Sequence, residues 1–446
     1  MLRSLTLSNI GPSDRLGATF KRRLNVITGD NGLGKSFLLD IAWWALTRKW
    51  PRELNRNLTS GDMARPSNGQ AASIGFEVKA KTTFVSYTST FSSREQAWTG
   101  RAGRPLNPGL VLYAMADGSF AAWDPARNYW KKKGNIDVQE RVPAYVFGPR
   151  EVWDGLKDPE RGLLCNGLVA DWASWQKEAG REFEQLSAVL KALSPSEREQ
   201  IVAGKFARIS LDDPRDIPTL KMPYGDEVPI IYASAGIRRI LALAYLLVWS
   251  WQEHRKASKL LGEPTTSNLV FLIDEVEAHL HPRWQRSIVA ALLDVMKVLA
   301  PQARVQMIVA THSPLVMASI EAHFDAKRDA WFDIDLVRQN GKRASVVEFQ
   351  EREFVRLGDV SNWLMSSAFD LKSARSREAE LVLEEASQAM SSEDFDSKKA
   401  QVLRDKLLKV LGDTDPFWLR WNYIGEAKGW LKKEPSNRSL DKKRPN

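Results

Sequence analysis

The segment Gly29–Ser36 restricts the fold of this chain more than any other part of the sequence. It reads GDNGLGKS and matches the pattern G-x-x-x-x-G-K-[ST]. An apolar run, Leu24–Thr28, precedes it, and a helical pattern, Ser36–Lys49, follows it. A strand, a glycine-rich turn and a helix in this order gather backbone N–H groups and a helix N-terminus around one point, where they favour phosphate. The sequence therefore predicts a phosphate-binding loop within an α/β core.

Each position of this loop has an expected role. The residues whose backbone would surround the phosphates are Gly29, Asp30, Asn31, Gly32, Leu33 and Gly34. Lys35 would reach the β- and γ-phosphates of a nucleoside triphosphate, and Ser36 would ligate Mg²⁺. We therefore expect residues 29–36 to bind the nucleotide.

Two further segments place polar side chains just after buried strands. NLVFLIDEVEAHLHP, residues 268–282, delivers Asp274 and Glu275, and VQMIVATHSP delivers His312. Ligands bind at the carboxyl ends of strands in open α/β sheets. There Asp274 would hold Mg²⁺, and Glu275 would polarise the attacking water as a general base. His312 would hydrogen-bond the γ-phosphate and hold that water.

The segment YASAGIRRILALAYLL carries Ser234, Ala235 and Gly236 just before a long apolar helix pattern, Gly236–Arg255. Small residues at a helix N-terminus can receive phosphate. The P-loop already supplies one such terminus. A second, distant one is most useful if it closes over a nucleotide bound to another copy of the chain.

Together these four segments resemble the ABC-type ATPase heads, in the branch that includes RecF, SMC and the OLD-like proteins. The order of P-loop, serine–glycine signature, Asp–Glu strand and switch histidine matches, and EAHLHP resembles the D-loop of that branch. The signature of the family has two adjacent glycines, and here Ala235 replaces the first. The Q-loop glutamine has no assigned position: Gln139 lies at roughly the right point, but the segment PAYVFGPREVWDG contains no glutamine.

The resemblance implies a hydrolase that converts ATP and water to ADP and phosphate with Mg²⁺, as a head-to-tail dimer or higher oligomer. Residues 29–36, Asp274, Glu275 and His312 would act in cis, and residues 234–236 would act in trans. The γ-phosphate alone would touch both copies, so its hydrolysis would release them.

The implied fold is an α/β, ABC-type P-loop NTPase head with a β-rich N-terminal lobe, a short helical insertion and a helical C-terminal extension. The expected domains are an N-terminal ATPase lobe (1–150), a helical insertion and linker (151–229), a C-terminal ATPase lobe (230–350), and a helical extension with a disordered basic tail (351–446). Within them, Asp171–Val202 has the pattern of a helical hairpin broken at Leu193–Glu197, with Ser194 or Ser196 as its second N-cap. Residues 207–229 are expected to form a linker that could include a hairpin, and Arg283–Leu299 is expected to form one helix.

Composition excludes several classes of protein. The single cysteine, Cys165, excludes a disulfide framework and a cysteine-based zinc cluster. The longest apolar run, Ile240–Trp251, is too short to span a bilayer, so we expect a soluble, cytoplasmic protein with no membrane partner. Lys and Arg exceed Asp and Glu by 64 to 55, a net charge of +9 that permits an anionic partner such as nucleic acid.

Three weaker patterns favour ordinary structural interpretations. His279 and His281 form an H-x-H pair without the further ligands that a metal needs. Asp333 and Asp335 resemble the metal-binding pair of TOPRIM nucleases, but the chain after them is mostly helical, which favours a closing hairpin. The basic cluster Lys131–Lys133, beside Trp130 and Arg127, favours a solvated face over a nucleic-acid contact.

At this size, without a long coiled coil or an intrinsic nuclease, the chain is similar to the PtuA-like ATPase subunits of bacterial antiphage systems of the Septu and retron type. That resemblance implies a partner effector, such as an HNH-type nuclease, controlled through nucleotide-dependent dimerisation. Phe417, Trp418 and Trp421 would either form a face for the partner or seal the terminal helices. A RecF-like repair clamp that binds duplex DNA directly is the main alternative. A transporter ATPase subunit is another, and the long insertions count against it.

Overall fold

The computed structural model describes residues 1–67, 69–79, 83–100, 107–128, 141–338, 345–392 and 396–430. Two compact units make up the chain, Met1–Trp363 and Leu364–Asn446. Three sequence predictions lie outside the described residues: the basic cluster 130–133, Gln139 and the disordered tail from residue 431.

The described residues form eighteen strands and thirteen α-helices. The strands are β1 (Leu2–Ile10), β2 (Ser13–Thr19), β3 (Leu24–Gly29), β4 (Ser73–Lys79), β5 (Phe84–Ser92), β6 (Ala97–Trp98), β7 (Leu110–Ala114), β8 (Phe120–Trp123), β9 (Tyr145–Phe147), β10 (Leu156–Asp158), β11 (Gly162–Cys165), β12 (Val202–Ala207), β13 (Ile217–Lys221), β14 (Glu227–Pro229), β15 (Asn268–Ile273), β16 (Arg304–Ala310), β17 (Ala330–Arg338) and β18 (Ser345–Arg352). The helices are α1 (Lys35–Thr47), α2 (Pro51–Leu54), α3 (Pro149–Asp154), α4 (Leu168–Glu178), α5 (Arg181–Ala192), α6 (Ala235–Leu261), α7 (Pro282–Gln285), α8 (Ile288–Leu299), α9 (Pro314–Ile320), α10 (Val360–Leu364), α11 (Arg377–Ser391), α12 (Ser397–Val410) and α13 (Phe417–Ala427). None of the helices described is both long and apolar enough to cross a membrane.

A central sheet, in the order β18-β17-β3-β16-β15-β7-β8-β9, organises the first unit. The five neighbours from β17 to β7 run parallel, and antiparallel strands flank them on both sides. Strands buried on both faces read as continuous apolar runs, as β3 and β15 do. Because parallel strands end at the same edge, the segments after β3, β15 and β16 meet there, and the predicted α/β core is confirmed.

Helix α1 lies in the hydrophobic core that joins the central sheet to a second, antiparallel sheet of order β2-β1-β4-β5-β6. Apolar residues alternate with polar ones along β4, as expected for a sheet with one buried face. Most of α1 is buried, including Trp43 and Trp44, because the helix has apolar neighbours on several sides. Trp44 stacks on Trp50 with ring centroids 5.4 Å apart, and the Arg48 guanidinium lies 3.8 Å from the Trp44 ring centroid.

The predicted break of the helical hairpin at Leu193–Glu197 is wrong. The two helices, α4 and α5, separate at Ala179, which adopts a left-handed φ of 48°, and at Gly180. Ser194 follows the end of the second helix, α5, and does not cap the start of a helix. Its hydroxyl donates to the Leu190 carbonyl (2.8 Å) and accepts from the Ile201 N–H (2.9 Å). Ser196 precedes only a short 3₁₀ turn.

Residues 202–229 form a three-stranded antiparallel sheet, β12-β13-β14, where the sequence predicted a helix end and a linker that could include a hairpin. Strands β13 and β14 form that hairpin, and β12 begins at Val202, where the helix was expected to end. The prolines of this sheet lie at places that tolerate proline: Pro218 is beside a register shift, and Pro229 ends the edge strand β14. The predicted helix Arg283–Leu299 is likewise two helices, α7 and α8, interrupted at Arg286 and Ser287.

The second unit is helical from α11 to α13, as predicted for the extension. Ala386, Leu407 and Trp421 are fully buried in its core, and Phe417 and Trp418 pack against that core. The Trp421 ring lies 4.9 Å from the Trp430 ring, edge to face. Phe417, Trp418 and Trp421 therefore seal these helices.

Asp40, on α1, is a titratable group that contacts β7 of the central sheet. It accepts a hydrogen bond of 3.0 Å from the Tyr113 hydroxyl. Burial raises the pKa of Asp40 to about 7, and the carboxylates of Asp274, Asp62 and Asp117 add to that rise. Between its ordinary pKa near 4 and about 7, the folded chain holds a proton that the unfolded chain has lost, so stability falls as pH rises through this range.

Asp40→Asn should make the melting temperature less dependent on pH between 5 and 7.5. Asparagine still accepts the tyrosine hydroxyl but carries no titrating proton. Thermal unfolding of the full chain at several pH values measures this, with Asp212→Asn as an exposed control that should behave like wild type. Equal pH dependence in Asp40→Asn and wild type would contradict the assignment.

Candidate functional site

The P-loop departs from β3 through glycines in left-handed backbone conformations. Gly29 has φ 135°, and a Cβ there would lie 2.2 Å from the Ile334 carbonyl oxygen on β17, so no larger residue fits. Gly32 has φ 79°, and a Cβ there would meet nothing within 4 Å. The loop is therefore closely packed against the sheet at its start and open at its tip, where phosphates would enter.

Lys35 lies folded over the loop, buried, with its ammonium held by backbone oxygens. Its Nζ donates to the carbonyls of Gly29 (2.6 Å) and Asp30 (2.8 Å). Burial lowers the pKa of Lys35, and the charges of Asp274, Asp30, Glu275 and Glu277 oppose that change. The ammonium therefore lies among acidic groups at the carboxyl end of the sheet.

Asp274 supplies a free oxygen beside Ser36. The carboxylate is buried at the end of β15, and its Oδ1 has no hydrogen-bond partner among the described residues. Burial raises the pKa of Asp274, and a hydrogen bond with Ser36 lowers it in part. A free carboxylate oxygen next to a hydroxyl suits Mg²⁺, which prefers oxygen ligands and takes the rest from phosphates and water. No cluster of three or more His, Cys, Asp or Glu side chains that could hold a metal occurs in the described ranges.

Glu275 and His312 face each other beyond the strand ends. His312 Nε2 lies 3.9 Å from Glu275 Oε1, and the Glu275 side chain is 42% exposed. Glu275 has a left-handed φ of 46°, which turns the chain sharply after Asp274. Burial, followed by the charge of Lys35, lowers the pKa of His312, while Glu275 opposes the shift. The imidazole is therefore neutral at neutral pH and able both to donate and to accept.

Glu277 holds the segment after β16 in place, a role that the sequence analysis missed. Its Oε2 accepts from the Thr311 hydroxyl (2.7 Å), and its Oε1 accepts from the His312 N–H. Burial raises the pKa of Glu277, and these hydrogen bonds lower it in part. The only signal for it in the sequence is the third acidic residue of DEVE.

Ser234, Ala235 and Gly236 form the start of α6. The Ser234 hydroxyl accepts from the Ile237 N–H (3.5 Å), and Ser234 and Ala235 are exposed. A Cβ on Gly236 would lie 2.7 Å from the His279 carbonyl oxygen, so this glycine permits close packing on the segment after Glu277. None of the hydrogen bonds described joins these three residues to the P-loop.

Arg239, one turn into α6, is a second residue that the sequence analysis missed. Its guanidinium donates to the Met115 carbonyl (2.6 Å) just beyond β7, the strand next to β15. Burial lowers the pKa of Arg239, and Asp117, Asp274 and Glu275 oppose this. The α6 helix is thereby tied to the same edge of the sheet. Its partner is a remote backbone carbonyl, which no sequence pattern could indicate.

The weaker candidate sites have structural partners. His281 caps α7, accepting from the Arg283 N–H (3.3 Å). Asp333, on the hairpin β17–β18, accepts from the Thr28 hydroxyl (2.9 Å), in agreement with the predicted closing hairpin. Arg127 pairs with Glu253 at 3.3 Å. The segment PAYVFGPREVWDG forms β9 and α3, at the sheet margin.

The chain resembles two curated proteins over about a third of its length. It is 28% identical to the "Retron Ec83 probable ATPase" of Escherichia coli over 153 residues, 34% of this chain and 24% of that protein. It is 27% identical to the "Retron Vc95 probable ATPase" of Vibrio cholerae serotype O1 biovar El Tor over 159 residues, 36% of this chain and 28% of that protein. The chain thus spans about a quarter of the length of these relatives.

Among solved structures, the SMC head domain from Thermotoga maritima matches 79% of this chain and 99% of its own, at 14% identity and a TM-score of 0.38. The SmcHead bound to the C-winged helix domain of ScpA matches 79% of this chain and 98% of its own, at 16% identity and a TM-score of 0.38. These likenesses are weak, so the fold assignment rests on the topology of the sheet and on the motifs placed at its edge.

A family model described as "AAA domain, putative AbiEii toxin, Type IV TA system" matches residues 24–318. The match begins at β3 and ends within α9, so it includes the P-loop, Asp274, Glu275 and His312. The chain belongs to this family of AAA domains, and its fold is that of an ABC-type P-loop ATPase head.

Proposed function

We propose that this chain binds ATP with Mg²⁺ at the P-loop edge and hydrolyses it, as the ATPase subunit of a bacterial antiphage defence complex. The observation that supports the ATPase activity is the gathering of Lys35, Ser36, Asp274, Glu275 and His312 at the carboxyl ends of three parallel strands. A cation for the phosphates, a hydroxyl and a carboxylate for Mg²⁺, and a second carboxylate and an imidazole that can position water together suit phosphoryl transfer to water.

In the proposed mechanism, the loop backbone and Lys35 bind the phosphates. On ATP binding, the ammonium would exchange its contacts with the loop carbonyls for the β- and γ-phosphate oxygens. Ser36 and Asp274 would hold Mg²⁺, which when bound neutralises charge on the phosphates. Asp274 Oδ1 has no hydrogen-bond partner among the described residues that Mg²⁺ would have to displace.

Glu275 would accept the proton of the attacking water, and His312 would orient that water and the γ-phosphate. The water oxygen bonds to the γ-phosphorus as the bond to the β–γ bridging oxygen breaks, leaving ADP and phosphate. The exposure of Glu275 leaves room for water. Glu277 would keep His312 in position through its backbone N–H.

The exposed start of α6 supports a site shared between two copies. Ser234 and Ala235 face solvent, and no described hydrogen bond ties them to the P-loop of their own chain. Placed over the γ-phosphate of a second copy, this helix N-terminus would add a favourable dipole. ATP would then join two heads head to tail, and hydrolysis would release them.

The defence role is supported by the similarity to two retron ATPases, which covers part of each. The proposed partner is an effector protein, an HNH-type nuclease by analogy with PtuA-like subunits. A RecF-like clamp would instead bind duplex DNA directly when loaded with ATP.

Lys35→Ala should abolish ATP binding, because it removes the cation proposed to bind the β- and γ-phosphates. Glu275→Gln should bind ATP with wild-type affinity and hydrolyse it at least a hundredfold more slowly, because the base is lost. Nucleotide binding and phosphate release measure the two effects, with exposed Glu263→Gln as the matched control. Wild-type turnover by Glu275→Gln would show that Glu275 is not the base.

Co-expression with the adjacent gene tests the defence role. We expect the tagged chain to co-purify with a nuclease encoded beside it, and the amount recovered to change when ATP is supplied to Glu275→Gln. Recovery of replication proteins and ATP-dependent binding of duplex DNA would favour the RecF-like clamp instead.

A further inference from the structure

A cavity of about 750 Å³ opens at the edge of the central sheet opposite the P-loop, among the amino ends of β3 and β16. Nine basic residues line it: Arg3, Lys21, Arg22, Arg23, Lys79, Lys297, Arg304, Lys327 and Arg328. None of its lining residues, within the described part of the chain, is acidic. We refer to this site as the basic cavity.

More than half of these cations lack a carboxylate partner. Four are paired: Arg3 with Glu77 (3.6 Å), Lys21 with Glu351 (3.7 Å), Lys297 with Asp294 (2.8 Å) and Arg23 with Asp329. Arg22, Lys79, Arg304, Lys327 and Arg328 form no ion pair within 4 Å with any residue that the structure describes. The basic cavity therefore has positive charge available to an anionic ligand.

Apolar side chains share this site with the cations. Phe20, Phe84 and Met296 line it, and Phe84 is 46% exposed. The Arg3 guanidinium lies 4.3 Å from the Phe84 ring centroid. An exposed ring beside an arginine offers a flat surface on which an unpaired base can stack.

The basic cavity is distinct from the P-loop site. Arg23 directly precedes β3, and Gly29 ends it, so the two sites lie at opposite ends of a six-residue strand. At about 3.3 Å per residue, that strand separates them by roughly 20 Å. A nucleotide held by Lys35 would not fill the basic cavity.

We propose that the basic cavity binds a segment of single-stranded nucleic acid, with its phosphates on the arginine and lysine side chains and a base on Phe84. The five cations without a carboxylate partner exceed what one mononucleotide could neutralise, whereas successive phosphates of a strand match them. Only an unpaired base presents a free face to a ring inside a cavity, which favours a single strand over a duplex. This proposal is independent of the proposed ATPase function.

The test is fluorescence anisotropy of a labelled 20-nucleotide oligo(dT) with the full chain at several salt concentrations. The triple variant Arg22→Glu, Lys327→Glu and Arg328→Glu alters exposed side chains of the basic cavity. We expect at least tenfold weaker binding. The log–log salt dependence should become shallower by about 2, because each phosphate that a basic side chain neutralises adds about 0.7 to its slope.

A matched control separates this site from general electrostatic attraction. Arg94→Glu, Arg198→Glu and Lys259→Glu make the same charge change at exposed positions outside the basic cavity, and should stay within twofold of wild type. An equal decrease of affinity in both triple variants, or no binding of oligo(dT) by wild type, would overturn the proposal.

Two further variants and two competing ligands test the ligand class and its independence from the P-loop site. Phe84→Ala should weaken oligo(dT) binding about fivefold or more, because the variant has no stacking surface. A 20-base-pair duplex and inorganic polyphosphate should both bind less tightly than oligo(dT), and equal or tighter binding of either would overturn the assignment to single strands. Lys35→Ala should bind oligo(dT) as wild type does, so that failure of the ATPase proposal and failure of this one are distinguishable.

Discussion

The parallel pairing of β3, β16 and β15 is the constraint on which the rest of this structure depends. Each strand is buried on both faces, and each ends at the same edge of the sheet. That common edge brings Lys35 within the field of Asp274 and Glu275, although these residues are remote in sequence. A shift of one residue in either pairing would move the acidic pair or His312 away from the ammonium, and the candidate site would be lost.

Sequence patterns predicted those parts of the fold whose determinants are local. The glycines and lysine of residues 29–36 are adjacent in sequence, and the apolar runs of β3, β15 and β16 signal buried strands directly. Ser234 was expected before a helix and caps α6. Patterns failed where the partner is distant: Glu277 acts on Thr311 and His312, and Arg239 acts on a backbone carbonyl at Met115. They failed again at Gly180, where a helix break carries no proline, and at Val202, where β12 begins instead of a helix ending.

The start of α6 is mechanically linked to the P-loop edge at two points. Gly236 packs on the His279 carbonyl, in the segment that follows Glu277, and Arg239 binds the end of β7. A side chain at Gly236 would collide with the His279 carbonyl oxygen, so this position is restricted to glycine. The neighbouring position is exposed and accommodates Ala235, where the family signature has a glycine. A change at Asp274 or Glu275 on nucleotide binding would reach the exposed helix N-terminus through these contacts, which relates the chemistry to the proposed association of two heads.

The association state of Glu275→Gln with ATP and Mg²⁺ tests the central claim of a shared nucleotide most directly. Light scattering after size exclusion should show monomers without nucleotide and dimers with it, whereas addition of Ser234→Arg to the same chain should leave ATP binding intact and abolish the dimer. An unchanged mass on ATP binding, or an equal dimer in the Ser234→Arg chain, would contradict the account.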